Sequence, residues 1–211
     1  MTRDEQIIDQ AIRRELGLPT SHRLTSKDCQ QVKALFLNDN RLTDINPLAE
    51  LPQLEVLGLD GNHLIDVSPL ARLTQLGWLY LNRNQITDVS PLAELPRLTT
   101  LLLGNNQIAD IGPLARLTQL RWLYLHDNRI TDVSPLARLT RLRGLRLDCN
   151  RITDVSPLAE LTQLEWFYLD GNQITDVSPL AELPRLEVLD LDDNPVTNSA
   201  SHAALEVVRV L

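Results

Sequence analysis

Residues 76–97 read LGWLYLNRNQITDVSPLAELPR, and residues 54–75 (LEVLGLDGNHLIDVSPLARLTQ) and 98–119 (LTTLLLGNNQIADIGPLARLTQ) carry the same pattern at the same phase. The opening L-x-x-L-x-L alternates, so Leu79 and Leu81 fall on one side of a short strand and Trp78 and Tyr80 on the other. An asparagine marks every unit, at Asn40, Asn62, Asn84, Asn106, Asn128, Asn150, Asn172 and Asn194. A fixed period of this length means a solenoid, in which each unit buries its apolar face only against its neighbours and equivalent residues line up in rows.

The consensus L-x-x-L-x-L-x-x-N-x-I is identified as the leucine-rich repeat signature, and it runs over residues 32–196 without insertion. The expected fold class is α/β: a right-handed leucine-rich-repeat horseshoe of about eight rungs, with a parallel β-sheet on its concave face. Short 3₁₀ or helical turns should form the convex face. Asparagine side chains can bond local backbone where the chain leaves each strand. In segments such as Asp88-Val89-Ser90-Pro91, serine before proline has the order of an N-cap followed by the first helical position. The aspartates at 44, 66, 88, 110, 132, 154 and 176 are expected to cap these turns. Only a few residues separate the proline from the next strand, so the convex face should be shallow and the curvature modest. Glu50, Arg72, Glu94, Arg116, Arg138, Glu160 and Glu182 stack there as a solvated ion-pair ladder.

Residues 1–31 do not follow the repeat. Ile7, Ile8, Ala11, Ile12 and Leu16 sit at helical spacing, with Gly17 and Pro19 as a helix stop, which predicts an N-terminal helical cap. Residues 197–211 are a C-terminal cap or a truncated end. The chain as given carries no secretory signal pattern and no apolar run near the ~20 residues of a membrane helix, so a cytoplasmic location is expected, or a secreted or surface one if the chain is truncated. A net charge of -8 argues against nucleic acid and anionic membrane as partners. Cys29 and Cys149 lie five rungs apart, ~24 Å at strand spacing, too far to pair.

All three tryptophans and all three tyrosines fall at one phase, as Trp78/Tyr80, Trp122/Tyr124 and Trp166/Tyr168. The leucine rows build the core, which leaves the aromatics for other uses. The outward rows read Ala34, Val56, Trp78, Thr100, Trp122, Gly144, Trp166, Val188; then Phe36, Gly58, Tyr80, Leu102, Tyr124, Arg146, Tyr168, Asp190; then Asn38, Asp60, Asn82, Gly104, His126, Asp148, Asp170, Asp192. Scaffold physics does not demand Trp or Tyr there. Tryptophan, tyrosine and arginine are enriched in interface hot spots, and an exposed stripe of them would exceed the apolar patch usual on a monomer. The candidate partner-binding residues are therefore Trp78, Tyr80, Leu102, Trp122, Tyr124, His126, Arg146, Trp166 and Tyr168. The alternative is that the rings pack on one another for stability alone, with Arg146 lodged between Tyr124 and Tyr168.

A protein or extended peptide is the expected partner. Asp148, Asp170, Asp190, Asp192 and Asp193 would steer one with basic residues beside apolar ones. Carbohydrate, stacked on the rings, and self-association through the same stripe are the competing occupants.

Units of 22 residues with N-x-I-x-D-x-x-P-L-x-x-L, after a helical cap and the stretch Leu24, Thr25, Asp28, resemble bacterial internalin-type leucine-rich repeat proteins. The 22-residue phosphatase-regulator class is a weaker match. The resemblance implies a protein-interaction scaffold that works through its concave face, often on secreted or surface proteins. The sequence as given departs from the secreted members in showing no signal, immunoglobulin-like flank or wall-anchoring motif, so host-receptor binding is not among the expectations.

Enzymatic activity is not expected. Phosphate-cradling glycine loops and His-Glu-x-x-His or Cys-x-x-Cys motifs are absent from the sequence. Cys149 with His126, Asp127 and Asp148 is the sharpest nucleophile candidate, but it sits in a turn position on an open sheet without an oxyanion pocket. Asp60-Gly61-Asn62, Asp170-Gly171-Asn172 and 190–194 resemble calcium loops only superficially, because their spacing comes from the repeat. No cofactor and no metal are expected.

Overall fold

The computed structural model describes residues 1–181 and 183–197. Eight three-residue parallel strands, one per repeat, form one open sheet in chain order. They are β1 (Ala34–Phe36), β2 (Val56–Gly58), β3 (Trp78–Tyr80), β4 (Thr100–Leu102), β5 (Trp122–Tyr124), β6 (Gly144–Arg146), β7 (Trp166–Tyr168) and β8 (Val188–Asp190). Pairing never slips: Val56 faces Trp78, Trp78 faces Thr100, and Thr100 faces Trp122. The expected solenoid is the observed one.

Leucine rows fill its interior, with Leu57, Leu59, Leu79, Leu81, Leu101 and Leu103 fully enclosed. Phe167 occupies the same row and is fully buried too. The expectation that aromatics are spared from the core thus holds for every tryptophan and tyrosine but fails for Phe167. Phenylalanine has no polar atom to satisfy, so it substitutes for leucine where the hydroxyl or indole N–H of the other rings would need a partner.

Each interior asparagine ties its rung to the one before. Asn84 Nδ2 donates to the carbonyls of Leu59 (3.0 Å) and Leu81 (3.1 Å), and its Oδ1 accepts from Leu64 N at 3.1 Å. Asn106 does the same with Leu81, Leu103 and Ile86. Backbone groups that a three-residue strand leaves unpaired are satisfied in this way.

The convex turns are 3₁₀ segments such as Ser68–Arg72 and Ser90–Glu94. Here one expectation is corrected. The serine is the first residue of the turn, not its N-cap; the preceding Val67 or Val89 holds the cap position and makes no side-chain cap bond. The aspartate two residues before the serine takes over, with Asp66 Oδ1 accepting from Ser68 N at 2.7 Å and Asp88 Oδ1 from Ser90 N at 2.8 Å. An aspartate can close such a turn because its short carboxylate reaches the N–H two residues on. Within the expected convex charge row, Arg116 pairs with Glu94 at 3.1 Å; Glu182 lies outside the described residues.

The turn residue just before each asparagine is left-handed in all eight repeats: Asp39, Gly61, Arg83, Asn105, Asp127, Cys149, Gly171 and Asp193 have φ between 52° and 67°. Aspartate, asparagine and glycine tolerate this region, whereas Arg83 and Cys149 are held in it by the repeat on either side.

Helix α1 (Arg3–Glu15) covers the first rung with Ile8 and Ile12. Thr2 and Glu5 form a capping box at its start, and Gly17 (φ 65°) ends it, with Leu18 N donating to Arg13 O at 2.8 Å. The buried Asp4 carboxylate accepts from Thr43 N, Thr43 Oγ1 and Asp44 N at 2.9 to 3.0 Å. Burial alone would raise its pKa, but the bonds from Thr43 and Asp44 outweigh that and lower it. A short helix, α2 (Ser26–Cys29), follows. The expected C-terminal cap or truncated end lies, beyond Thr197, outside the described residues.

Candidate binding surface on the concave face

Strand alternation puts every candidate residue on the side of the sheet away from the core: Trp78 and Tyr80 on β3, Leu102 on β4, Trp122 and Tyr124 on β5, Arg146 on β6, Trp166 and Tyr168 on β7, with His126 just beyond β5. Trp78 is 43% exposed and the others are half-buried. The surface divides in two along the solenoid.

In the C-terminal part the side chains satisfy one another. Trp122 and Trp166 stack with ring centroids 5.3 Å apart and planes 25° from parallel, although an entire rung separates their strands. Gly144 makes this possible: a Cβ on it would lie 2.3 Å from Trp122 Cε3, so the indole occupies the space of the missing side chain. Beside that stack, the Arg146 guanidinium lies 5.9 Å from the Tyr124 ring and 5.2 Å from the Tyr168 ring. Asp148 fixes it through two hydrogen bonds, to Nε at 3.0 Å and Nη2 at 2.8 Å. The bidentate bond to Asp148 raises the Arg146 pKa against the effect of burial.

The glycine seats were not legible as such in the rows. Phe36 leans over Gly58 and His126 over Gly104 in the same fashion, with 2.8 Å and 2.1 Å to an added Cβ. The sequence signal is a glycine beside a ring within one outward row. His126 Nδ1 is buried without a hydrogen-bond partner, and burial, then Arg146, lowers the pKa of its ring.

In the N-terminal part Trp78 has no ring partner among the described residues. Its downstream neighbour in the row is Thr100, not glycine. The lower row there is tied to backbone: Asp60 N donates to Asn38 Oδ1, Asn82 N to Asp60 Oδ1 and Gly104 N to Asn82 Oδ1, at 2.7 to 2.9 Å. Between Trp78 and Trp122 lies an open depression of about 500 Å³, lined also by Gly77, Thr99, Arg97 and Arg121.

Cys149 does not have the setting of a nucleophile. Burial, then Asp127 and Asp170, pushes its thiol pKa up, the reverse of activation. Asp148, Cys149 and Asp170 place three potential ligand atoms within 4.8 Å of one another, but the Asp148 carboxylate is already engaged by Arg146. Cys29 and Cys149 are both free thiols. Among the described residues no helix is long and apolar enough to cross a membrane.

Comparison with known proteins agrees with this architecture. The family model described as Leucine Rich repeats (2 copies) matches residues 30–72, 74–116, 118–160 and 162–203. Internalin C2 of Listeria monocytogenes is 36% identical, with 88% of this chain and 92% of that one covered and a TM-score of 0.73. A second internalin of that organism, inlF, is 27% identical over 98% of this chain and 82% of that one, at a TM-score of 0.54. The leucine-rich-repeat ectodomain of the Arabidopsis thaliana membrane receptor kinase GASSHO1/SCHENGEN3, solved in complex with CASPARIAN STRIP INTEGRITY FACTOR 2, is 27% identical over 85% of this chain and 23% of that one, with a TM-score of 0.73. A search of curated protein sequences found no match. Proteins of this fold serve in general as protein-binding scaffolds and are typically non-enzymatic. With the repeat model covering most of its length and an internalin aligned over nearly all of it, the chain belongs to the leucine-rich repeat family as an internalin-like member.

Proposed function

We propose that this chain is a non-enzymatic scaffold that binds a protein or an extended peptide through its concave aromatic surface. The observation that carries this reading is Trp78, an indole left 43% exposed on a sheet whose other tryptophans have found partners. An uncovered indole next to Tyr80 and Leu102 gains most from a partner that removes it from water. The complex of the plant receptor ectodomain supports a partner of this kind, since it engages a separate factor with the same repeat architecture.

The test is sedimentation velocity across a concentration series, on the native chain and on Trp78→Ala/Trp122→Ala/Trp166→Ala, with circular dichroism to check the fold. Monomers in both leave the surface free for a foreign partner, as expected. An oligomer that dissociates in the variant makes the partner a second copy of the chain. Unchanged affinity of the triple variant for an isolated partner overturns the concave-surface reading.

A further inference from the structure

The depression between Trp78 and Trp122 brings two arginines together with two indoles. Arg97 and Arg121 in its lining are exposed, and neither forms an ion pair or side-chain hydrogen bond among the described residues. Four other arginines near the sheet are engaged: Arg146 by Asp148, Arg143 by Glu165 at 3.7 Å, Arg129 by Gln107 at 3.1 Å, and Arg141 by Gln119. Glu55, the carboxylate lining the depression, is taken by Lys33 at 3.1 Å. The site thus presents two uncommitted guanidiniums and two indoles in one lining, together with Gly77 and Thr99. Trp122 lines the depression and is at the same time seated over Gly144.

Anything that covers this depression must cover both cations. A partner that brings no anion leaves positive charge desolvated and unpaired, which is costly, whereas a carboxylate meets the planar fork of arginine in bidentate geometry. The indoles meanwhile select an apolar side chain. Resting on the concave-binding reading above, we propose that this depression is a subsite for an acidic residue of a bound peptide: the Asp or Glu carboxylate lies between Arg97 and Arg121, and an adjacent apolar side chain lies against Trp78 and Trp122. The aspartate-rich edge at Asp170 and Asp190 then receives the basic residues of the same peptide, so the two edges of the sheet together fix how the peptide lies.

The experiment is selection of a random displayed peptide library on the full chain, followed by synthesis of the recovered peptides and titration against variants. The side chains of Arg97 and Arg121 form no hydrogen bond or ion pair among the described residues, so Arg97→Gln and Arg121→Gln keep the fold, which circular dichroism verifies. The expected result is peptides that share Asp or Glu beside an apolar residue and bind roughly tenfold more weakly to each arginine variant. Binding should also weaken at ~0.5 M salt. In Arg97→Glu/Arg121→Glu, exchanging the peptide's acidic residue for lysine should restore affinity. Peptides that depend on Trp78 but are indifferent to both arginines overturn the acidic subsite and leave the concave reading standing. Failure to recover any peptide, or binding indifferent to Trp78→Ala, overturns both.

Discussion

Trp78 and Trp122 open the same tripeptide, Trp-Leu-Tyr, at the same phase of the same repeat, yet one indole stands open and the other is stacked on Trp166. The backbone around them is equivalent, and both strands pair in register with the next. What differs is the following rung. Trp122 meets Gly144 and lies down across it, whereas Trp78 meets Thr100, whose side chain fills that space. One rung lower in the row, Leu102 follows Tyr80 where Arg146 follows Tyr124, so the C-terminal half also gains a guanidinium sandwich that the N-terminal half lacks. Repetition fixes where a ring starts; its neighbour's volume and charge decide whether it stays available.

The strongest way to break the contrast is Gly144→Val. Gly144 has an ordinary backbone conformation, so the cost comes from space alone: the new side chain overlaps Trp122 and drives it off Trp166. Overpacking together with the lost ring contact should destabilise the fold by about 2 kcal/mol. Chemical denaturation should show the loss, and the near-ultraviolet circular dichroism of the stacked indoles should weaken with it. An unaltered dichroism spectrum would mean that glycine is not what seats the stack.

A smaller effect is expected from Asp148→Ala. The Asp148 side chain is only 7% exposed and holds Arg146 through both its oxygens, but Arg146 itself is 37% exposed, so water replaces part of what is lost. A cost of about 1 kcal/mol follows. The freed guanidinium should leave the gap between Tyr124 and Tyr168, and hydrogen-exchange or tyrosine fluorescence measurements should register the change in the C-terminal half alone. Equal changes at Tyr80 would contradict the division of the surface.

The fold was legible because every rung states it again. The leucine rows, the asparagine ladder and the aspartates that close the convex turns each follow from residues repeated at fixed spacing, and Arg146 between Tyr124 and Tyr168 follows from the order of one row. Misreadings came where the local order of residues suggests one role and the packing gives another. Serine before proline resembles an N-cap locally, yet the aspartate two residues earlier already occupies the turn's first N–H. The left-handed turn residue was partly signalled, since Asp, Asn and Gly dominate that position, but Arg83 and Cys149 disguise it. Ring tilt had no periodic signal: Phe36 over Gly58, His126 over Gly104 and Trp122 over Gly144 depend on one small residue each, in three different places. The sequence shows three Trp/Tyr pairs in equivalent positions, and only the packing around each separates Trp78 from Trp122.

The gentlest test converts the open half into the closed one. Thr100→Gly removes the side chain that faces Trp78 and gives that indole the seat that Gly144 gives Trp122. Glycine in a strand costs about 0.5 to 1 kcal/mol through the freedom of the unfolded chain, and apolar contact under the reclining ring returns part of it, so the net loss should be a few tenths of a kcal/mol. In a Trp122→Phe/Trp166→Phe background Trp78 is the sole indole, and its emission can be followed directly. A shift to shorter wavelength with weaker acrylamide quenching is the expected outcome. Emission that stays at the position of an exposed indole would show that a vacant neighbour is not enough. The seat over Gly144 would then depend on Trp166 waiting two strands downstream, and the availability of Trp78 would follow from its own counterpart two strands downstream, Trp122, being turned towards Trp166.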